Sequence, residues 1–299
     1  VTYDGRRLLL IHAHPDDETI NNGATMARYV AEGAQVTLLT CTLGELGEIL
    51  VPELAQLAGD QGDQLGGYRM WELDRAMGAL GVTDHRFLAG AGHFHDSGMI
   101  GTDGNDAERA FWRASTDPAR FEEAVRAVVE VMREVRPQVV VTYDPDGGYG
   151  HPDHIMAHRV TMAAVPAAAN PQFAAVGQPW TVSKLYWNAI PRSVLQRSID
   201  ALRRAGTTFF EATSADDLPM ATDDRDVTTC VDGADFAAAK VEAMQAHATQ
   251  ISVDGQFFAL SNNLGLRVWA QEYYRLALGE LGPDVDRDGR ESDLFSGLT

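Results

Sequence analysis

The chain has 299 residues, 45% of them hydrophobic, with eleven phenylalanines, eight tyrosines and five tryptophans, enough apolar material for a substantial α/β core and too much for a disordered chain. Lys and Arg number 24 against 43 Asp and Glu, a formal net charge of −19. No basic stripe is visible, so nucleic acid and an anionic membrane surface are disfavoured as partners, while a local basic pocket for an anion is still allowed.

Leu8 to His14 reads as a buried first strand that stops at Pro15-Asp16-Asp17-Glu18. Pro15 has no amide to give a ladder, so the chain leaves the sheet there and displays His14 and Asp17 at the strand's carboxyl edge, where open α/β sheets hold ligands. An imidazole and a carboxylate three residues apart across a bend can share a metal ion, with Asp16 free to act on what the metal holds. The same residues also fit a loop in which Asp16, Asp17 or Thr19 caps the next helix and His14 merely packs. At this point both readings stand, and they are compatible.

Met26, Ala27, Val30 and Ala31 give the next segment helical spacing, stopped by Gly33, and Val36 to Cys41 reads as a second strand. Together these make a right-handed βαβ unit. Neither the first βα turn nor Thr42 to Glu48 carries Gly-x-Gly-x-x-Gly, so a dinucleotide site has little support. Helical spacing resumes over residues 62 to 81, a short strand falls near Arg86-Phe87-Leu88, and Ala89 to Asp106 is a long irregular stretch of the kind that serves as a lid or recognition element.

Asp117-Pro118 is a strong helix start, and Val139 to Tyr143 is another buried strand. Asp144 to His154 then repeats the opening architecture: a strand ends, Pro and Gly turn the chain, and His151 and His154 open a helix. Pro166 to Pro179 reads as a connector, Val182 to Ala189 as a strand, Val194 to Ala205 as a helix and residues 227 to 231 as a strand. Asp232 would cap a helix beginning near Ala234, and the charged tail from Pro283 reads as peripheral.

Cys41 and Cys230 are too few for a disulfide framework. No apolar run approaches 18 residues, and the first is unlike a secretory signal. A soluble cytoplasmic protein is the expectation.

Two matching His/Asp loops point to a metal more strongly than either alone. A His2Asp set with an open position suits zinc, and iron(II) is chemically compatible. Ala13-His14-Pro15-Asp16-Asp17-Glu18 and His151-Pro152-Asp153-His154 resemble the paired signatures of the LmbE-like or PIG-L-like zinc N-deacetylase superfamily. Thr40 to Glu45, Asp63 to Arg69, Asp96 to Met99, Val141 to Pro145, Gly148 to Gly150, His247 to Gln250 and Ser261 to Leu264 extend the likeness toward the actinobacterial mycothiol enzymes, most weakly over 166 to 226.

The resemblance implies a Rossmann-like, largely parallel α/β sheet, with a catalytic core over 1–170 and a smaller C-terminal lobe over 171–299. It implies zinc held by His14, Asp17 and His154, with Asp16 as general base and later acid. Protonated His151, oriented by Asp153, and Tyr149 are implied at the substrate carbonyl, and Glu48, Arg69 and Asp96 on the sugar side. The implied reaction is removal of acetate from N-acetylglucosaminyl-inositol, a small N-acetylated amino-sugar glycoside. A mycothiol S-conjugate amidase, a deacetylase of another N-acetyl sugar and a non-catalytic sugar-binding protein are the alternatives. Gly150 favours the biosynthetic deacetylase. His12 is expected to pack, and His93, His95 and His247 to stay outside the metal set.

Overall fold

A computed structural model describes residues 5–204, 206, 212–252 and 270–298. The expected resemblance at Ser261 to Leu264, and the last residue of the helix expected to end at Ala205, lie outside these. The apolar run forms β1 (Arg7–His12), followed by α1 (Asp17–Ala31), β2 (Gln35–Thr40), α2 (Leu65–Leu80) and β3 (Asp84–Phe87). Then come α3 (Pro118–Val135), β4 (Val139–Thr142), one turn α4 (Gly147–Gly150), α5 (Pro152–Ala169), β5 (Lys184–Pro191) and α6 (Arg192–Arg204). The chain continues through β6 (Ala221–Thr222), β7 (Thr229–Asp232), α7 (Ala237–Ala246) and β8 (Gln271–Leu278).

The sheet order is β3-β2-β1-β4-β5-β8-β7, with β6 alongside β5. Strands β1 to β5 are parallel, and β8 runs antiparallel to both β5 and β7. This is the Rossmann-like, largely parallel α/β architecture anticipated above. Leu9, Ile11 and Val140 face one core layer with α3 and α5, while Leu8, Leu10, Val139 and Val141 face the other, with Met26, Leu73 and Met77 from α1 and α2. Both faces of β1 are therefore apolar, as burial between two helical layers requires. The connections leave β1 and β4 in opposite directions, which opens a crevice at their carboxyl ends.

Two expectations are corrected, and one strand was not anticipated. The tail beyond Pro283 is not peripheral, because Leu294 and Phe295 join the second core layer and Glu291 is 1% exposed. The connector does not begin at Pro166: α5 runs on to Ala169, and the Arg133 guanidinium of α3 donates to the carbonyls of Ala167, Ala168 and Asn170, which lie at the helix end, where the α-helical donors run out. Strand β8 went unread because its sequence, Gln-Glu-Tyr-Tyr-Arg-Leu-Ala-Leu, puts a carboxylate, Glu272, at an inward position beside Tyr274. That carboxylate meets Lys240 Nζ at 2.6 Å and the amides of Ala24 and Thr25. Asp232 does accept from the Ala234 amide, at 3.0 Å, although a 3-10 turn precedes α7.

Candidate active site

Two strand ends build the site. After His12 the chain turns at Pro15, and Asp16 adopts φ 125°, a region that a residue with a Cβ enters only under strain. The turn is held on all sides. Asp17 Oδ2 accepts from the His14 amide at 2.9 Å, Glu18 Oε2 accepts from the Asp16 amide at 2.9 Å, and the Asp16 carbonyl takes the Thr19 and Ile20 amides. Asp16 occupies the N-cap position of α1 but makes no side-chain cap; its carboxylate is left for other work.

At the end of β4, Gly147 has φ 63°, and a Cβ there would lie 2.7 Å from His154 Cβ and 2.9 Å from the Ile155 nitrogen. Only glycine lets the loop pass this close to α5. The Gly147 carbonyl accepts from His154 Nδ1 at 3.1 Å, so His154 Nε2 carries the lone pair. His14 is set the same way from its other nitrogen: Nε2 meets Asp153 Oδ2 at 3.3 Å and Asp96 Oδ1 at 3.6 Å, which leaves Nδ1 free.

Those free atoms converge. His14 Nδ1 lies 3.3 Å from Asp17 Oδ2 and 3.3 Å from His154 Nε2, and His154 Nε2 lies 3.4 Å from Asp17 Oδ2. A tetrahedral ion with N and O bonds of about 2.0–2.1 Å separates its ligands by about 3.3–3.4 Å. Two imidazole nitrogens and a carboxylate oxygen this close form a donor set that fits a divalent ion with one open side. Other groupings, His14/His151/His154 and His14/Asp96/Asp153, also come within 4.8 Å. The second uses the Nε2 side of His14 and reads as the carboxylate shell that orients the imidazole.

Charge follows this geometry. Burial alone would lower the affinity of His14 for a proton, but Asp96, Asp153 and Asp17 raise it well above the usual imidazole value. Burial would raise Asp17, yet His154 and His14 hold it well below the carboxylate range. Asp16 is pushed up to about 6, first by burial and then by Asp17 and Glu18, against the opposing pull of Arg69. His151 is driven down to about 3, chiefly by burial. The Asp153 amide donates to its Nδ1 at 3.2 Å, so Nε2 bears the hydrogen and the ring is neutral where the sequence led us to expect a protonated one.

A cleft of about 760 Å³ lies over these groups. His14, Asp16, Asp17, His151, His154, Tyr149, Arg69, Asp96 and Glu48 all line it, so every sequence-identified site residue except Asp153 reaches the same space. Asp153 is fully buried, and its carboxylate takes Ser97 Oγ, the Ser97 amide and His14 Nε2. It orients His14, while only its backbone touches His151. Arg69 donates to the carbonyls of Pro15 and Gly44 and pairs with Asp16 Oδ2 at 3.1 Å. Asp96 accepts from the Leu46 and Gly98 amides. These two hold the loops as well as facing the cleft, and Glu48 stands exposed at the rim.

His12 packs as expected, Nε2 2.7 Å from Asn22 Oδ1 and Nδ1 3.2 Å from the Tyr143 hydroxyl. His93 meets Glu123 at the surface, and His95 Nδ1 donates to the Asp96 carbonyl at 2.9 Å. Burial pushes the Cys41 thiol up, which removes it as a nucleophile. The sequence reading missed Tyr143, whose ring stacks on His154 at 4.3 Å, as well as Ser97, Glu18 and His247. Tyr143 sits one residue past β4, a position that could have flagged it.

The family description PIG-L, GlcNAc-PI de-N-acetylase, matches residues 9–165, and both signature loops lie inside that span. The chain belongs to the PIG-L family. It is 62% identical over 98% of its length, and 98% of the relative's, to a protein of Geodermatophilus obscurus named 1D-myo-inositol 2-acetamido-2-deoxy-alpha-D-glucopyranoside deacetylase. A protein of Streptomyces avermitilis with the same name is 56% identical over 98% of this chain and 97% of its own. Among solved structures, the N,N'-diacetylchitobiose deacetylase of Pyrococcus horikoshii shares the fold, with a TM-score of 0.60 at 18% identity over 91% of this chain and 84% of that one. Among the described residues of this PIG-L member, no helix is long and apolar enough to cross a membrane.

Proposed function

We propose that this PIG-L family chain hydrolyses the acetamide of N-acetylglucosaminyl-inositol, releasing acetate and the free amine, with zinc held by His14, Asp17 and His154. The substrate rests on relatives 62% and 56% identical over nearly the whole chain. The metal reading rests on the three donor atoms lying 3.3–3.4 Å apart with their lone pairs facing inward. Zinc has this donor chemistry, and iron(II) is the competing occupant.

When bound, such an ion polarises the amide carbonyl and brings a water toward a pKa of about 7. Asp16 is the base that accepts the proton from the attacking water, and then the acid that returns it to the leaving nitrogen. Its carboxyl group, near 6, is close enough to neutrality to move a proton both ways. Arg69 holds the Asp16 carboxylate in place. The Tyr149 hydroxyl and the neutral His151 Nε2–H donate to the carbonyl oxygen as it gains charge, a role a neutral imidazole can fill. Glu48 and the cleft-facing edges of Arg69 and Asp96 meet the sugar. Residues 1–170 carry the chemistry, and residues 171–299 close the cleft through Asn188, Met220 and Tyr273.

The test is acetate and amine release from N-acetylglucosaminyl-inositol by zinc-reconstituted protein, beside hydrolysis of a mycothiol S-conjugate. Acetate release should dominate. Exclusive action on the conjugate would replace the substrate, and tight sugar binding without release would replace the enzyme reading.

A further inference from the structure

The strained turn at Asp16 is closed by a residue from the far end of the chain. Glu18 is fully buried. One of its oxygens accepts from the Asp16 amide at 2.9 Å; the other accepts from Thr19 Oγ1 at 2.6 Å and faces His247 Nε2 at 3.0 Å, across 229 residues of sequence. His247 is itself fully buried, and its Nδ1 has no partner among the described residues. A buried imidazole whose one hydrogen bond among the described residues goes to a carboxylate gripping the amide of the catalytic base is poorly explained as core filler.

The neighbours of His247 reach the same machinery. Thr249 donates from its amide, at 2.8 Å, and from its hydroxyl to Glu72, one turn along α2 from Arg69, and Gln250 Nε2 donates to the Glu48 carbonyl at 3.0 Å. One short segment after α7 thus touches the base loop, the helix carrying the arginine that pairs with the base, and the loop at the cleft rim.

We propose that His247 is a positioning residue for Asp16, acting through Glu18 to hold the Asp16 amide in its left-handed conformation. The inference rests on Asp16 being the base of the proposed hydrolysis, but its geometric half does not. A carboxylate that loses one of its three donors inside a dry interior has to relax, and the Asp16 amide moves with it. A displacement of about 1 Å at the reacting group can cost on the order of a hundredfold in rate.

Gln places its amide nitrogen where His has Nε2, and Asn where His has Nδ1, so the pair His247→Gln and His247→Asn separates the donor from the bulk. Two readouts are taken: deuterium exchange of the segment 13–20 in metal-free protein, and kcat and KM for acetate release after zinc loading. For His247→Asn we expect faster exchange at that segment and kcat down about tenfold, with KM and zinc content within about twofold of wild type. His247→Gln should restore both. Equal behaviour of the two variants, or an Asn variant that loses zinc or raises KM in place of lowering kcat, overturns the proposal. If wild-type protein releases no acetate, the functional reading fails, and the exchange comparison alone still decides whether His247 holds the turn.

Discussion

Asp16 and Asp17 are adjacent carboxylates with opposite tasks, and their surroundings set them apart. Asp17 faces two imidazoles and is held well below the carboxylate range against burial; Asp16 is raised to about 6 by burial and by its acidic neighbours. Removing the base should therefore differ from removing a ligand. Asp16→Asn should lower kcat by about 10²- to 10⁴-fold while zinc content by atomic emission stays at the wild-type level, whereas Asp17→Ala and His154→Ala should purify without stoichiometric metal. Wild-type zinc in Asp17→Ala would contradict the ligand assignment. The pH dependence follows with its sign. A base whose pKa is raised works only above that value, so kcat should fall as pH drops through the acid limb. A bound cation favours the carboxylate and moves the limb down from about 6. A limb centred above 7 in the zinc-loaded enzyme would point to a different base.

The site was legible at residue scale because three-residue spacings at two strand ends force side chains together whatever the rest of the chain does. Which nitrogen of His14 faces inward was not legible, since it depends on Asp153 and Asp96 arriving from other elements. The same holds for the protonation of His151 and for the contact of His247 with Glu18: both are decided by packing between segments far apart in sequence.

At the scale of elements, strands with apolar faces and the Asp117-Pro118 helix start could be read directly. Asp117 Oδ1 does accept from the Ala119 amide at 3.0 Å. The end of α5 could not be read, because what sustains it past Pro166 is the guanidinium of Arg133 on another helix. The start of α5 is where an element controls function. Gly147→Ala places a Cβ 2.7 Å from His154 Cβ and asks a left-handed φ of a residue that resists it, at about 1–2 kcal/mol for the backbone alone. The loop must back away, taking the carbonyl that fixes the His154 ring. Zinc affinity, measured by competition with a chromophoric chelator, should weaken about 10- to 100-fold with little change in helix content by circular dichroism. Unchanged affinity would mean that His154 needs no help from this loop.

At the scale of the molecule, the parallel half of the sheet carries the signatures, and the antiparallel half is tied on by buried polar groups. Glu291, within the charged stretch that looked peripheral, accepts from Lys184 Nζ on β5 at 2.5 Å, from the hydroxyl of Tyr186 on β5, from Thr229 Oγ1 on β7 at 3.0 Å and from the Gly282 amide at 2.8 Å. Its side chain is fully buried and that of Lys184 is 2% exposed. Charge composition hid this, since an acidic tail normally stays in water and only the buried lysine explains why this one does not. Removing one partner leaves the other charged and dry, which typically costs about 3–5 kcal/mol, whereas replacing both by apolar side chains is often near neutral. Glu291→Ala should therefore lower stability by about that amount in urea denaturation, and Lys184→Met with Glu291→Leu should recover part of it. Recovery will be incomplete because Tyr186, Thr229 and the Gly282 amide still lose their acceptor. The metal donors sit at the ends of β1 and β4, on the other side of β5 from β7, so the folded fraction of Glu291→Ala should bind zinc as wild type does. A loss of zinc in step with stability would show that the antiparallel edge and the metal site are one cooperative unit.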